Sequence, residues 1–525
     1  MKSNQPPADS TRLRPAVVLV ADRTLSARYS ILFEGIFATM QTTQVPQVAM
    51  RHFVSPPVAV DRRGRARAAP LGIRRIESSL VASGLGENDV VCATPESLGR
   101  LLGPWTKIVS VSSSDPLGMG MTNTTTTQFW KGKLYTGVWM EQLMGQIRLA
   151  KIRHGFTVIG GGGGAWQWVQ NPTRAREQGF DIIFDGYFEG VGPALVRDIL
   201  AGRRPPETVV TERGAAVGGV QPIRGSSVLG AIELSRGCGK GCKFCTSAAR
   251  AMEHLDEGTI LADLRANVSG GMRNVVSGSE DFFRYGCAGA RVNFERLRAL
   301  LEAMRQVEGL SFMQIDHANV SSVLQFDDGQ LREIRRLLQW DRPSKYLWVN
   351  MGIESAGGAL VAANCPGKFA PFDGGDWEGM VRQAVEKLER TGFFPVLSVV
   401  LGLPGETPDD VRKTIELVKH LSSRQAVVFP IFHEPVLGVA RKAGQAFGLG
   451  EMSLDHLELY TACYENNFRQ VPKLFWDNQR CGGVGLARRT LVQLLGKTEV
   501  RAWRRNFVRV RKQIISRNAR IPIKI

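Results

Sequence analysis

Residues 232–245, Ile-Glu-Leu-Ser-Arg-Gly-Cys-Gly-Lys-Gly-Cys-Lys-Phe-Cys, gather three of the chain's eight cysteines at the spacing Cys238-x3-Cys242-x2-Cys245. Thiolates are soft ligands suited to iron and zinc. Three on one short loop can wrap three corners of a cubane and leave one metal without a protein ligand. An open coordination position is what a catalytic site has and a structural one lacks. Two other readings compete: a zinc ion that borrows a fourth ligand, or three unrelated thiols. Zinc sites usually come as two separated pairs of ligands, and Cys92, Cys287, Cys365, Cys463 and Cys481 are scattered without forming one. So few cysteines in 525 residues make no disulfide scaffold. Their distribution implies one metal centre in a reducing compartment, with the single thiols mostly in cores.

The loop follows a strand-like segment, 231–234, that opens a series. Further strands are expected at 274–277, 312–316, 347–353, 396–401 and 426–432. Helical patterns fall between them at 259–268, 294–307, 328–338, 378–391 and 408–421. Right-handed crossovers curl such a series into a full or partial β/α barrel, with ligand chemistry at the carboxyl ends of the strands. Those ends carry polar residues or glycine: Ser277 to Asp281 with Glu280, Asp316-His317-Ala318-Asn319, Gly352-Ile353-Glu354-Ser355, and Gly402-Leu403-Pro404-Gly405-Glu406-Thr407. Each has a plainer reading: Thr407 or Asp409 as a helix cap, the glycines as an entry turn, Glu354 at the surface, His317 as a satisfied buried ring.

Ahead of this series, strand-like runs at 15–21, 89–93, 107–111, 156–159 and 181–184 alternate with helical stretches at 141–154 and 193–201, which implies a first parallel α/β sheet. Residues 203–227, rich in Gly, Pro and Arg, read as a linker. The fold expected is therefore α/β: a doubly wound, Rossmann-like domain and linker over 1–225, a partial (β/α)6 barrel over 226–440, and a mostly helical, basic region over 441–525.

The cysteine spacing, with Phe244 before the last Cys and the loop at the end of the first barrel strand, resembles the signature of the radical S-adenosylmethionine (SAM) superfamily. The resemblance implies a [4Fe–4S] cluster on Cys238, Cys242 and Cys245, with SAM on the open iron. It implies reductive cleavage of SAM to methionine and a 5′-deoxyadenosyl radical that abstracts hydrogen from a substrate. Phe244, Glu280, Glu354, Ser355, Gly402 and Gly405 fall where the family contacts SAM. The preceding α/β unit resembles the cobalamin-binding domain of the B12-dependent branch. There Asp22, Arg23, Thr24, Leu25, Asp115, Gly160, Gly161, Gly162 and Glu189 correspond to corrinoid-facing positions. The Asp-x-His-x-x-Gly motif that supplies an axial histidine in many B12 proteins is absent: Asp22 is followed by Arg-Thr-Leu-Ser-Ala. Bound cobalamin would lack a protein histidine ligand. Residues 160–164 do not form Gly-x-Gly-x-x-Gly with an acidic residue at the expected distance, so a nicotinamide site is not expected.

The leading expectation from this resemblance is a cobalamin-dependent methyltransferase acting on an unactivated carbon. A B12-independent radical SAM enzyme (cyclisation, carbon–carbon coupling or rearrangement) is the alternative, and a non-enzymatic iron–sulfur or redox-sensing protein a third. The implied partners are a small-molecule, lipid or peptide substrate and a reductant such as flavodoxin or ferredoxin.

Composition bounds the rest. The formal net charge is +18, which suits a basic soluble surface, an anionic membrane or nucleic acid. Nine Lys/Arg and no acid lie in 501–525, so the basic C-terminus offers peripheral membrane contact or a solvated helix face. No RNA-binding module accompanies it, and no stable nucleic-acid partner is expected. No apolar run approaches about 18 residues, so no membrane span is expected. The polar first fifteen residues resemble no secretory leader, which makes the cytoplasm the expected compartment. Tyr460, Tyr464, Phe468 and Trp476 suggest core packing or the lining of a substrate pocket.

Overall fold

The computed structural model describes residues 13–203, 208–212, 217–248, 250–435 and 446–519. They fall into two compact units. One takes Met1–Arg28, Pro46–Leu117 and Tyr135–Val228; the other takes Tyr29–Val45, Gly118–Leu134 and Leu229–Ile525.

The first unit is built on six parallel strands: β1 (Val17–Ala21), β2 (Val90–Cys92), β3 (Ile108–Ser112), β4 (Thr157–Gly161), β5 (Ile182–Gly186) and β6 (Val209–Glu212), in the order β2-β1-β3-β4-β5-β6. The run Val-Val-Leu-Val-Ala of β1 is buried throughout because both faces of the sheet are covered. Side chains alternate across a strand. Val18 and Val20 therefore pack with Met140, Leu143 and Ile147 of helix α2 (Tyr135–His154). Val17 and Leu19 pack on the other side, with Ile73 and Leu80 of α1 (Leu71–Ala82) and Leu195 and Val196 of α3 (Gly192–Leu200). Each Val or Leu so buried contributes roughly 1.5–3 kcal/mol. The chain reverses direction across the sheet between β1 and β3, and in such sheets the crevice beyond those two strand ends is the ligand site.

Two sequence readings need correction here. The linker expected over 203–227 contains β6, paired in parallel with β5 from Ile183↔Val209 to Gly186↔Glu212. A four-residue, partly exposed edge strand among Gly, Pro and Arg carries too little apolar signal to be read. Helix α2 starts six residues earlier than expected, because Tyr135 and Trp139 bury their rings where polar neighbours mask the period.

The second unit contains all six expected strands: β7 (Ala231–Glu233), β8 (Asn274–Gly278), β9 (Phe312–Gln314), β10 (Leu347–Glu354), β11 (Phe393–Leu401) and β12 (Val427–Phe432). They form two parallel three-stranded sheets, β9-β8-β7 and β10-β11-β12. A parallel bridge, His317↔Asn350, joins the two just beyond β9, giving an open barrel. Helices α4 (Glu257–Ser269), α5 (Phe294–Arg305), α6 (Asp328–Leu337), α7 (Trp377–Arg390) and α8 (Pro408–Leu421) make the crossovers. Each begins at a side-chain cap, Asp256, Asn293, Asp327, Asp376 and Thr407 in turn, that accepts an N–H of the first turn.

Residues 29–45 and 118–134 precede the barrel in sequence yet belong to its unit. The Phe33 ring packs on Trp348 at 4.6 Å, Phe129 on Tyr460 at 4.5 Å, and Thr125 Oγ1 accepts the Phe432 N–H at 2.8 Å. The unit ends in α9 (Leu454–Cys481) and α10 (Leu486–Ala519). Tyr460 is fully buried, and the half-buried Tyr464 stacks on it at 5.1 Å and packs tilted on Trp503 at 4.4 Å, so these rings join α9 to α10.

Candidate cluster-binding site

The three cysteines lie on a loop whose shape depends on glycine. Gly237, Gly239 and Gly241 all have left-handed backbone, with φ of 76°, 69° and 69°. A Cβ on Gly237 would overlap the Ala251 carbonyl oxygen. The loop leaves β7, and its ends are clamped where Ser235–Arg236 pairs antiparallel with Glu253–His254. Within it, the Cys238 N–H donates to Arg250 O at 3.1 Å and the Gly241 N–H to Ala248 O at 3.0 Å. From outside, the Arg284 guanidinium donates to Cys238 O at 2.8 Å.

A second segment, the turn after the short helix Gly358–Asn364, is laced onto the loop. The Lys243 N–H donates to Asn364 O and the Gly367 N–H to Lys240 O, both at 2.9 Å. Lys240 is buried, and its ammonium donates to Ser321 Oγ at 3.0 Å and Ala370 O at 3.2 Å. This strap carries Cys365, a fully buried thiol that neighbours Cys242 and lowers its pKa.

Cys242 is buried, and Cys238 and Cys245 are half-buried. Burial pushes the Cys238 thiol up to about 11. Burial, followed by the charge of Glu280, also raises Cys245. Cys242 is lowered, first by the hydrogen bond from Cys365. Thiols whose burial disfavours the bare thiolate are suited to a metal that displaces the proton. Among the described residues no three His, Cys, Asp or Glu side chains converge on a single ion. Ligands of a cubane stand around a volume, each on its own iron. Three thiols on one pre-shaped loop, two of them partly open, fit a [4Fe–4S] cluster with one iron accessible.

The strand ends around the loop are polar and largely occupied. Beyond β8, Ser279 Oγ meets Ser235 Oγ at 2.6 Å. Asp281 is wholly buried; it accepts from Asn319 Nδ2 at 3.0 Å and from Ser322 Oγ, while its Oδ1 has no partner. Burial raises its pKa. The half-buried Glu280 acts electrostatically on both Cys245 and His317, so its carboxylate lies where it could reach a ligand at the cysteine loop. At the end of β10, Glu354 has φ of 61° beside a bulge and is ion-paired with Lys368, whose ammonium also bonds Gly352 O. The Ser355 hydroxyl accepts the Gly357 N–H and meets Thr414 Oγ1, both at 3.1 Å. Glu354 Oε1 and the Ser355 hydroxyl thus help to shape the strand end. Gly402 (φ 77°) gives the space of its missing side chain to the Phe447 ring, and its N–H donates to Glu406 Oε2 at 2.9 Å. Gly405 (φ 86°) meets only Leu360, at 4.0 Å. Thr407 caps α8 in a reciprocal pair with Asp410. Phe244 is buried, edge-on to His433 at 6.3 Å.

In the first unit, the residues expected to face a corrinoid lie at or just beyond the carboxyl ends of β1, β3, β4 and, for Glu189, β5. Asp22 is fully buried and accepts from the Thr24 N–H at 2.9 Å, the Thr24 hydroxyl, and Ser113 Oγ at 2.9 Å. It ties together the loops on either side of the chain reversal, and burial raises its pKa. Arg23 pairs with Glu96 and lies 5.4 Å from the Trp139 ring centre. Leu25 packs in the core, and Asp115 accepts from Gln167 Nε2. A Cβ on Gly160 would press on Phe180 at 2.9 Å, on Gly161 would meet Phe184 O at 3.4 Å, and on Gly162 would meet Ser113 O at 2.7 Å. Gly163 has nothing within 4 Å. Glu189 is half-buried, ahead of α3.

Sequence reasoning passed over Cys365, Lys368, Lys240, Asp281 and Arg284 as site residues. Cys365 and Lys368 had no local signal, because they reach the loop from a segment far along the chain. Asp281 stood in the polar strand end beside Glu280 without a role of its own, and Arg284 lies in the short helical turn, Phe282–Arg284, that follows it.

Comparison with known proteins agrees with this geometry. Residues 232–418 match the Radical SAM superfamily. The chain is 21% identical over 308 residues to the tRNA-2-methylthio-N(6)-dimethylallyladenosine synthase of Corynebacterium diphtheriae, covering 58% of this chain and 57% of that protein. It is 25% identical over 298 residues to the Thermobifida fusca protein of the same name, covering 56% of each. The chain thus spans just over half the length of the curated relatives it matches. Among solved structures it resembles the radical S-adenosylmethionine methyltransferase TsrM from Kitasatospora setae with cobalamin and [4Fe–4S] cluster bound, with a TM-score of 0.52 and 14% identity over 80% of this chain and 75% of that one. A second TsrM structure, with tryptophan substrate and a SAM analogue, matches with the same TM-score over 79% and 73%. Residues 232–418, with the three-cysteine loop at the end of their first strand, are a radical SAM domain.

Proposed function

We propose that this radical SAM enzyme is a cobalamin-dependent methyltransferase acting on an unactivated carbon. The carrying observation is the first unit: a doubly wound sheet in the order β2-β1-β3-β4-β5-β6, whose chain reversal between β1 and β3 is where such sheets bind ligands, ahead of the radical SAM domain in sequence. The likeness to TsrM, whose structure holds cobalamin, covers 80% of this chain and supports the reading.

In this reading Cys238, Cys242 and Cys245 hold the cluster, Phe244, Glu280, Gly402 and Gly405 bound the SAM site, and the strap 364–368 fixes the loop. Glu354 and Ser355 keep the β10 end in shape. When bound, the cluster and cobalamin supply the electron that cleaves SAM and the carrier of the methyl group. The Asp22–Thr24–Ser113 knot fixes the crevice wall, and the open backbone at Gly163 allows close approach of a flat or phosphate-bearing group. The unit's histidines, His52 and His154, lie off the loops that follow β1, β3 and β4, so neither would be among the residues that hold the corrinoid. A flavodoxin- or ferredoxin-type reductant completes the system.

The curated relatives favour a second reading, methylthiolation. Inserting sulfur requires a sulfur donor, and the only cysteine of the first unit, Cys92, is a buried core thiol. The test is anaerobic reconstitution with cobalamin present, followed by reaction with SAM. Retained cobalamin and products heavier by one methylene per event are expected. Iron without retained cobalamin would overturn the methyltransferase and leave radical SAM chemistry standing; sulfur in the product would favour the second reading.

A further inference from the structure

The solvent face of α10 has no role in the site just described. One side of this helix is committed: Trp503, Phe507, Val510 and Ile514, at helical spacing, are buried against the rest of their unit. The opposite side carries a stripe at the same spacing. It begins with Leu491, Leu494 and Leu495, exposed by 49%, 55% and 58%, and continues through Arg501, Arg505 and Lys512. Of the fourteen exposed large apolar side chains among the described residues, six lie on α10. Such concentration on one helix is not the scatter of single apolar residues normal on a soluble surface.

The charge is equally one-sided. From Leu486 to Ala519 there are ten Lys/Arg and one carboxylate, Glu499. Several cations are used internally: Arg488 pairs with Glu34, Arg504 with Glu465, and Arg509 and Arg517 bond backbone carbonyls. Arg501, Arg505 and Lys512 make no ion pair with any described carboxylate, and they share the stripe with the leucines.

We infer that α10 seats the protein on an anionic phospholipid surface, with the leucines entering the acyl boundary and the cations at the headgroups. A basic amphipathic helix with apolar anchors lies in that interface, its Lys and Arg stems extended toward the phosphates. No described helix is long and apolar enough to cross a membrane, so the contact is peripheral. Nucleic acid would satisfy the cations and leave the leucines in water. A second copy of the chain packed two-fold on this stripe would set cations against cations if the helices ran parallel, and leucines against cations if they ran antiparallel.

The test is co-sedimentation of the full-length protein with phosphatidylcholine vesicles, with and without phosphatidylglycerol. The variants are Leu491→Gln/Leu494→Gln/Leu495→Gln and Arg501→Gln/Arg505→Gln, with circular dichroism and thermal melting to show that they fold. Binding is expected only to the anionic vesicles, weakened by salt, and reduced about tenfold or more by either variant. The inference is overturned by equal binding with and without phosphatidylglycerol. It is also overturned by unchanged binding in the folded leucine variant, by salt-sensitive retention on RNA with no vesicle binding, or by self-association that the leucine variant abolishes while vesicles are ignored.

Discussion

Glu354 and Lys368 form an ion pair enclosed on both sides, each side chain only 6% exposed. Burial alone would lower the Lys368 pKa, and the adjacent Glu354 charge overrides it and raises it. Removing one partner of such a pair costs about 3–5 kcal/mol, because a charge is left buried and alone. Lys368→Met should therefore lower the thermal midpoint sharply, and Lys368→Met/Glu354→Gln should recover part of the loss. A double variant no more stable than the single one would show that the two are not coupled.

The cysteine loop requires glycine at 237 for two reasons, the left-handed φ and the Ala251 carbonyl. Gly271 has φ of 90° with nothing within 4 Å, so it isolates the first reason. Gly271→Ala should cost roughly 1–2 kcal/mol, the penalty of a left-handed alanine, and leave iron loading intact. Gly237→Ala should cost more and reduce iron per chain after reconstitution. Equal iron loading in the two variants would contradict the role given to this loop.

Cys365 neighbours Cys242 and lowers its pKa, as a thiol able to donate to it would. Hydrogen bonds to cluster sulfur raise the reduction potential. Cys365→Ala should keep its iron and shift the midpoint potential to more negative values in a redox titration followed by electron paramagnetic resonance. Loss of iron in this variant would make Cys365 a ligand.

His317 spans the seam of the barrel: Nδ1 faces Asp316 Oδ1 at 3.0 Å and Nε2 meets Asn350 Nδ2 at 2.9 Å. Burial lowers its pKa, but Asp316, with Glu280 and Asp281 behind it, outweighs this and raises it to about 9. A folded-state pKa above the unfolded value of about 6.5 gives stability that is whole below pH 6.5 or so and is lost as pH rises through about 9. The imidazole is 42% exposed, so solvent screens the effect. Wild type should lose thermal stability between neutral pH and about 9 relative to His317→Gln, and parallel pH profiles would refute the assignment.

Much of the fold was legible because the strands are short apolar runs and the barrel helices start at Asp, Asn or Thr caps. The cysteine loop was legible because its ligands are neighbours in sequence. What sequence could not show is what joins distant segments: Lys368 closing on Glu354, Cys365 on Cys242, and Phe447 occupying the space beside Gly402. Edge strand β6 was hidden because four half-exposed residues leave no alternation to read. Asp22 and Thr24 were recognisable as strand-end residues, but only the coordinates show that they bond each other and Ser113.

The most direct measurement is electron paramagnetic resonance of the anaerobically reconstituted, reduced protein with and without SAM, beside Cys238→Ala/Cys242→Ala/Cys245→Ala. Wild type should hold about four iron and four sulfide per chain, as one cubane requires, and its spectrum should change when SAM is added. The triple variant should show neither. Zinc in place of iron, or a triple variant that keeps the full cluster signal, would contradict a three-thiolate cubane with one iron open to SAM.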